Sequence, residues 1–430
     1  MTRTRLAGLE AIGTAASNGW APSDCTLPRE ALAGSRHQFA AWFVLAGLII
    51  PAWEAEVSIA GAKFTAGRLA VTLLVGPALV LLMRRGRHAV ACDLFAVLTA
   101  AWMLGAAAST AGFESLSSPA AESLQFLFSY IVARGYFYSP VALDTFIRAL
   151  KILTVAVILV GAIDYVTGRW IAHEAAAAIF GTTPLGAVTR SGAIRATSTL
   201  DHPILFGVFC GLVNPIVLLS ERAVGRKILF SGLCLAGCLL SQSSAALMAY
   251  VLGVAAYSYD RLMRQLPGRW MIFWTVLGVA TGALITVAEH PIGWLISHLT
   301  LDPVTGYYRI LIWDAAFERI GNRPLTGYSF QLFDENILDS TVDCVWLVEA
   351  LRFGLPAMAG LLATNLMAIW PVRKQVEFDD FRERMNLAFT IVILLFFFTG
   401  ITVHFWNYIW IFWGLCIGIK ASLRESLSHQ

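Results

Sequence analysis

The chain has 430 residues, of which 57% are hydrophobic and only 14% are charged. Soluble proteins average about 45–50% apolar and about 25% charged residues, so this composition excludes a disordered chain, a disulfide scaffold and a soluble enzyme with one core. The net charge of +3 is too balanced to indicate nucleic acid as a partner. The remaining class is an all-α polytopic membrane protein.

In chain order, a polar tail precedes a long series of apolar segments. Residues 1–37 are predicted as a cytoplasmic tail, because polar residues interrupt any signal-peptide core. Residues 38–430 are predicted as a single transmembrane domain of about twelve helices, with two long outer loops at about 167–201 and 289–342. The predicted spans are 38–53, 68–83, 89–109, 121–138, 150–166, 202–220, 227–243, 245–260, 270–288, 343–370, 386–403 and 407–421.

The distribution of Lys and Arg orients these spans. With the N-terminus in the cytoplasm, 21 of the 31 cations fall on the cytoplasmic side and nine on the outer side, and the C-terminus returns to the cytoplasm. Six of the outer cations lie in the two long loops: Arg169, Arg190, Arg195, Arg309, Arg319 and Arg323. Because the topology rule disfavours cations there, we expect them to bind a negatively charged ligand at the outer surface.

The first outer loop ends in a polar stretch that leads directly into an apolar helix. Pro203 suits the first turn of that helix, and Thr199 or Asp201 could cap it. A helix N-terminus beside Arg195 would bind phosphate, since free backbone N–H groups and a guanidinium meet there. The alternative is an ordinary cap on a helix that only anchors the loop at the interface.

The second outer loop contains an amphipathic segment. Ile310, Trp313, Phe317 and Ile320 recur at helical spacing, which predicts a surface helix with Arg309 near its N-terminal end. The alternative is that this arginine meets only lipid headgroups.

Several ionisable residues lie within or beside the predicted spans. Asp343, Glu349 and Arg352 enter the membrane from the outer side, which is a functional indication by default. However, Asp343 could be a helix N-cap, and Glu349 with Arg352 could be a structural (i, i+3) ion pair. Arg134 lies near the inner end of its span, where it can snorkel, so a structural role is favoured over a functional one. His404 is expected to belong to an aromatic belt at the outer interface with Trp406 and Tyr408.

Together, these segments resemble the O-antigen ligase and polymerase superfamily of bacterial envelope glycosyltransferases. The resemblance covers about residues 190–360. Its motifs are the stretch from Arg195 to His202-Pro203, the Ser-rich turn at 240–245, the residues Arg309, Trp313, Pro324 and Gly327 of the long loop, and Asp343-Cys344 with Gly354.

The chain departs from the family pattern at three places. The usual Arg of the Ser-rich turn is absent, and Ser329 replaces a Gly in the long loop. Asp343-Cys344 stand where the ligases carry His-Asn, which resembles the polymerase-like and exopolysaccharide-type members and argues against a lipid A–core ligase.

The resemblance implies a GT-C-like fold in the bacterial inner membrane, with a periplasmic loop carrying short helices. It also implies polymerisation of polyprenyl-diphosphate-linked repeat units into a surface or secreted polysaccharide, by inverting transfer without metal or cofactor. Implied partners are the lipid-linked donor and acceptor, membrane lipid, and other polysaccharide assembly or export proteins.

Roles follow for the candidate residues. Two guanidinium groups can stabilise the charge that develops on a diphosphate leaving group, and an acceptor hydroxyl must lose a proton. The candidates are Arg195 and Arg309, supported by Arg190 or Arg319, for the diphosphate; Asp343, then His202 and Glu349, for the base; and Trp313 and Tyr308 for substrate positioning.

Two other functions stay open at this point. A ligase would move the glycan to a lipid, a core sugar or a protein. A flippase would transport the lipid-linked oligosaccharide, but transporters often show internal repeats and ionisable residues near mid-membrane. The absence of a repeat between the halves of this sequence and the outer position of its polar clusters favour an enzyme.

Overall fold

The computed structural model describes most of the chain beyond its N-terminal tail. The described residues are 29–59, 62–84, 86–190, 192–287, 303–333, 338, 342–371 and 380–428. They are predominantly α-helical, which confirms the predicted all-α class. The strands are short and form two antiparallel hairpins: β1 (Val57–Ile59) with β2 (Ala62–Phe64), and β3 (Thr189–Arg190) with β4 (Ala193–Ile194).

Helices occur in each of the predicted apolar segments. The helices of the first half are α1 (Arg29–Ala46), α2 (Ala66–Leu82), α3 (Ala91–Ala111), α4 (Ser117–Tyr136), α5 (Pro140–Thr167), α6 (Ile171–Phe180) and α7 (Pro203–Ser220). Those of the second half are α8 (Val224–Leu240), α9 (Ser244–Leu262), α10 (Arg269–Val287), α11 (Pro303–Asn322), α12 (Val345–Phe353), α13 (Leu355–Ile369), α14 (Asp380–Thr399) and α15 (Asn407–Ser428).

Four helices of the described residues are both long and apolar enough to cross a bilayer. They are α3, α5, α7 and α10, while α2, α6 and α13 are apolar but shorter. Length and composition of these helices indicate association with a membrane.

The core forms around α7 and α15. Helix α7 contacts α5, α8, α9 and α14, and 89% of its residues are buried inside the protein. Helix α15 packs closely on α4, where a side chain added at Gly414 would overlap Ser129 and the Phe126 carbonyl. Small residues of this kind allow helices to approach closely, which contributes much of the packing energy in membrane proteins.

Some boundaries differ from the prediction. Helix α1 begins at Arg29, inside the predicted tail, because its helix-forming Ala, Glu and Arg residues extend beyond the apolar run. Helix α6 lies within the predicted 167–201 loop. The predicted span 343–370 is two helices, which separate at Gly354 with a φ of +81° that favours glycine.

Helix α11 confirms a helix in the second loop, but its buried face coincides with the predicted apolar stripe only in part, since Ile320 is buried and Trp313 is partly buried. The buried positions are Ile312, Ala316 and Ile320, while Phe317 is exposed. The predicted stripe is adjacent to the buried one on the helix surface, and periodicity alone cannot choose between neighbouring stripes.

Arg134 has the structural role that the sequence favours, but it does not snorkel, contrary to that part of the prediction. Its side chain is 2% exposed and forms ion pairs with Asp93 at 2.8 Å and Glu425 at 2.5 Å. Glu425 also accepts from Arg87 at 2.9 Å. The prediction failed because both acidic partners come from segments that are remote in sequence. Arg134 therefore joins α4 to α3 and α15.

Candidate functional site

Arg195 is held as a buried cation in the loop before α7. Its side chain is 6% exposed, and its Nε donates to the Ser241 carbonyl at 3.0 Å. Its own carbonyl accepts from the Trp170 indole at 2.8 Å. These contacts hold Arg195 through Nε and through the backbone.

Polar residues of the loop fix its path toward α7. Ser198 has a φ of +60°, and its N–H donates to Asp164 at 2.8 Å while its hydroxyl donates to the Val157 carbonyl at 2.6 Å. Asp201 accepts from the Trp53 N–H at 3.1 Å. The loop is therefore tied to α5 and to the segment after α1, which keeps Arg195 in place.

His202 caps α7, whereas Thr199 or Asp201 was predicted to do so. Its Nδ1 accepts from the Ile204 N–H at 3.2 Å. Pro203 has no N–H and the Ile204 N–H is occupied, so this helix N-terminus offers phosphate fewer donors than predicted.

The same contact bears on His202 as a base. Burial, and secondly the Arg195 charge, lower the pKa of His202 to about 4. A neutral ring that accepts at Nδ1 carries its proton on Nε2, so it lacks a second lone pair for an acceptor hydroxyl. This geometry favours a capping role.

Arg190 is fixed by the same turn as Arg195. Its Nη1 donates to the Gln242 carbonyl at 2.8 Å. Gln242 adopts a φ of +49°, the left-handed conformation, within the turn between α8 and α9. The Ser-rich turn therefore presents two successive carbonyls, Ser241 and Gln242, to two arginines.

Arg309 approaches this pair from α11. Its Nη2 donates to the Thr402 carbonyl at 3.5 Å. Burial lowers the pKa of Arg309. The negative charge of Asp343 opposes this change, whereas the positive charge of Arg190 adds to it. Burial, and then the Arg190 charge, lower the pKa of Arg195 to about 10. Arg190 thus lies within electrostatic reach of both Arg195 and Arg309, and we call these three residues the arginine cluster.

Asp343 lies beside the cluster. Its side chain lines a cavity of about 330 Å³ together with Arg352, His404 and Trp406, and we call this space the base cavity. The N-cap of α12 is Cys344, so Asp343 has no capping role. Burial among protein atoms raises the pKa of Asp343, and the Arg309 charge opposes that rise. A carboxylate of raised pKa is a better proton acceptor.

Glu349 occupies a different position from Asp343. Its side chain is 1% exposed in α12 and belongs to neither the base cavity nor the arginine cluster. The predicted (i, i+3) pair with Arg352 is wrong, because Arg352 Nη1 contacts both carboxylate oxygens of Glu122 at 2.9 Å. Glu349 meets Glu122 instead.

The remaining predicted residues lie along α11. Arg319 is ten positions from Arg309, about 15 Å along a helix, and its guanidinium lies over the Phe333 ring. Trp313 is partly buried against the core and contacts Phe317 edge-to-face. The side chain of Tyr308 lies outside the described residues.

The loop motif after α11 docks on the end of α12. Tyr328 and Ser329 donate backbone N–H groups to the Leu351 and Arg352 carbonyls, each at 2.7 Å. Gly327 has a φ of +62°, and a side chain there would overlap the Leu351 carbonyl. Ser329, which stands where the family has Gly, also adopts a left-handed φ, +56°. This motif therefore fixes the backbone that carries Arg352.

Sequence reasoning missed Glu122, His404 and Trp406 at this site. His404 and Trp406, interpreted as an interface belt, line the base cavity. The feature of the sequence that could have indicated them is a short polar and aromatic stretch between the predicted spans 386–403 and 407–421. Glu122 gave no local signal, since its partner is 230 positions away.

We also searched for a metal site and for relatives among known proteins. Within the described ranges, no three His, Cys, Asp or Glu side chains are grouped so as to hold a metal ion. The chain matches no protein-family model, and no curated protein sequence matches it significantly.

Proposed function

We propose that this protein is a multi-pass glycosyltransferase of the bacterial inner membrane that polymerises polyprenyl-diphosphate-linked repeat units at the periplasmic face. The proposal includes about twelve spans in a GT-C-like arrangement, with both termini in the cytoplasm. The observation that carries it is the arginine cluster, which lies beside Asp343.

The cluster suits an anionic ligand for an electrostatic reason. Three guanidinium groups remain charged at neutral pH, and they repel one another. A diphosphate would offset this repulsion. It would be bound more tightly as its negative charge grows in the transition state, which is the condition for acceleration.

The reaction then needs one proton acceptor. An acceptor sugar hydroxyl attacks the anomeric carbon of the donor, and its proton passes to the Asp343 carboxylate. The glycosidic C–O bond breaks, and its electron pair leaves with the lipid diphosphate. A single displacement inverts the anomeric centre.

Reconstituted protein tests this proposal. Wild-type protein in nanodiscs, given lipid-linked repeat units, should yield a ladder of longer glycans. Arg195→Ala and Arg309→Ala should each lower the rate by about 10²–10³-fold, the usual effect of removing one transition-state donor. Arg169→Ala is the matched control, because Arg169 is an exposed outer-loop arginine paired with Glu174.

Three results would contradict the proposal. Full activity of both cluster variants would remove the site. Transfer to a lipid or protein acceptor without a ladder would identify a ligase. Movement of lipid-linked units across the bilayer without transfer would identify a flippase. In a deletion strain, polymerase loss should accumulate single lipid-linked units, whereas ligase loss should accumulate lipid-linked polymer.

A further inference from the structure

A second cavity adjoins the base cavity. Its volume is about 360 Å³, within the range of about 300–1,000 Å³ that is typical of small-molecule sites. The two cavities share Phe330, Arg352, His404 and Trp406 as wall residues. A ligand in the second cavity could therefore extend to Asp343 without leaving the protein surface.

The polar groups of the second cavity are fixed before any ligand binds. The Glu122 carboxylate is held by Arg352 Nη1, with both oxygens at 2.9 Å. Gln125 Oε1 accepts from Arg68 Nε at 3.2 Å and from Arg68 Nη2 at 3.0 Å. Preorganised polar groups recognise a ligand at a lower entropic cost than mobile ones.

The buried Glu349 adds a further constraint beneath this wall. One of its carboxyl oxygens, Oε1, has no hydrogen-bond partner among the described atoms, and the carboxyl group lies against Glu122. Glu122 thus lies between the Arg352 guanidinium and the Glu349 side chain.

The charges of the second cavity nearly compensate one another. Besides the Glu122–Arg352 pair, Lys63 pairs with Glu56 at 2.8 Å, which leaves one further cation, Arg68, held by Gln125 Oε1 and the Lys63 carbonyl. This differs from the arginine cluster, where cations adjoin cations. Paired charges favour a neutral ligand with many hydroxyl groups, because each hydroxyl both donates and accepts a hydrogen bond.

Trp406 connects the second cavity to the donor side. Its ring lies 5.6 Å from that of His404 and 6.0 Å from that of His202, the residue that adjoins Arg195. The indole offers an apolar face, and a sugar ring carries a complementary face of C–H groups. Trp406 would therefore support a sugar between the two sites.

We propose that the second cavity binds the acceptor saccharide, with Trp406 against a sugar ring and the Glu122–Arg352 pair hydrogen-bonded to its hydroxyls. The acceptor role rests on the proposed function, whereas the saccharide site rests on the cavity itself. The acceptor then extends into the base cavity, where its attacking hydroxyl meets Asp343.

Glycan binding without any donor tests this inference. Full-length protein in nanodiscs is applied to an array of soluble bacterial repeat-unit oligosaccharides, and the Kd of the best ligand is measured in solution. Trp406→Ala and Glu122→Gln should each weaken binding at least tenfold. Trp274→Ala, at an exposed tryptophan on α10, should bind as wild type does.

The outcomes separate the two proposals. If wild type binds no glycan, or if Trp406→Ala and Glu122→Gln bind as wild type does, the second cavity is not a saccharide site. If glycans bind there but no lipid-linked donor is consumed, the saccharide site stands and the proposed function fails. Because Glu122 also pairs with Arg352, the melting temperature of each variant is measured without glycan, and a variant that melts as wild type does but binds weakly has lost binding and not its fold.

Discussion

Lowering the pH should weaken the start of α7 through His202. The pKa of this ring is lowered from 6.5 to about 4, by burial and then by Arg195, so the unfolded chain takes up the proton first. The neutral His202 ring contributes fully to the free energy of unfolding above pH 6.5, and this contribution declines as the pH falls toward 4. Between pH 7 and pH 5 the loss is about 2 kcal/mol, since each pKa unit corresponds to about 1.4 kcal/mol.

His202→Asn isolates this effect, because Asn is a strong N-cap that does not titrate. The free energy of unfolding of both proteins is measured in mixed micelles at pH 7 and pH 5. The variant should gain about 2 kcal/mol relative to wild type on going to pH 5. His88→Asn, at an exposed histidine, controls for general acid effects. A wild-type-to-variant difference in the free energy of unfolding that stays constant between the two pH values would refute the lowered pKa of His202.

The other predictions concern the ion-pair network, the loop motif and the base. Arg134→Leu should lower the free energy of unfolding by about 3–5 kcal/mol, because it leaves buried carboxylates without their partner; a change below about 1 kcal/mol would contradict this. Gly327→Ala should lower the melting temperature, whereas Ser329→Gly should not, since both positions have a left-handed φ. Asp343→Asn should reduce transfer by about 10²–10⁴-fold, and the wild-type rate should fall on acidification at a pH above the usual aspartate range, because the pKa of Asp343 is raised. An unchanged Asp343→Asn rate would assign the base elsewhere.

The apolar runs were sufficient to predict where helices form, but not every end. The beginning of α5 follows from local chemistry: Ser139 caps the helix and Pro140 occupies its first turn. Helix α6 is too short to register as a span, although Gly181, which ends it with a φ of +68°, was a local signal.

The candidate site was predictable in part for a related reason. Arg190, Arg195 and Arg309 were selected because they lie on the side that the topology rule disfavours, and Arg190 does lie within electrostatic reach of the other two. What sequence could not provide was the set of partners. The Ser-rich turn holds Arg190 and Arg195, but it is remote from both in sequence. Glu122 holds Arg352 and is likewise remote from it in sequence.

The partners of the arginines divide them into two kinds. Arg134 and Arg352 bind carboxylates from remote segments, because a local (i, i+3) pair contributes only about 0.2–0.5 kcal/mol and a buried guanidinium needs fuller compensation. Arg190 and Arg195 donate to carbonyl oxygens, which orient a guanidinium without neutralising it. A cation compensated by a carboxylate holds the fold together, whereas one held by carbonyls beside other cations keeps its charge for a ligand. This distinction supports the proposal that the arginine cluster, and not the arginines paired with carboxylates, binds the anionic donor.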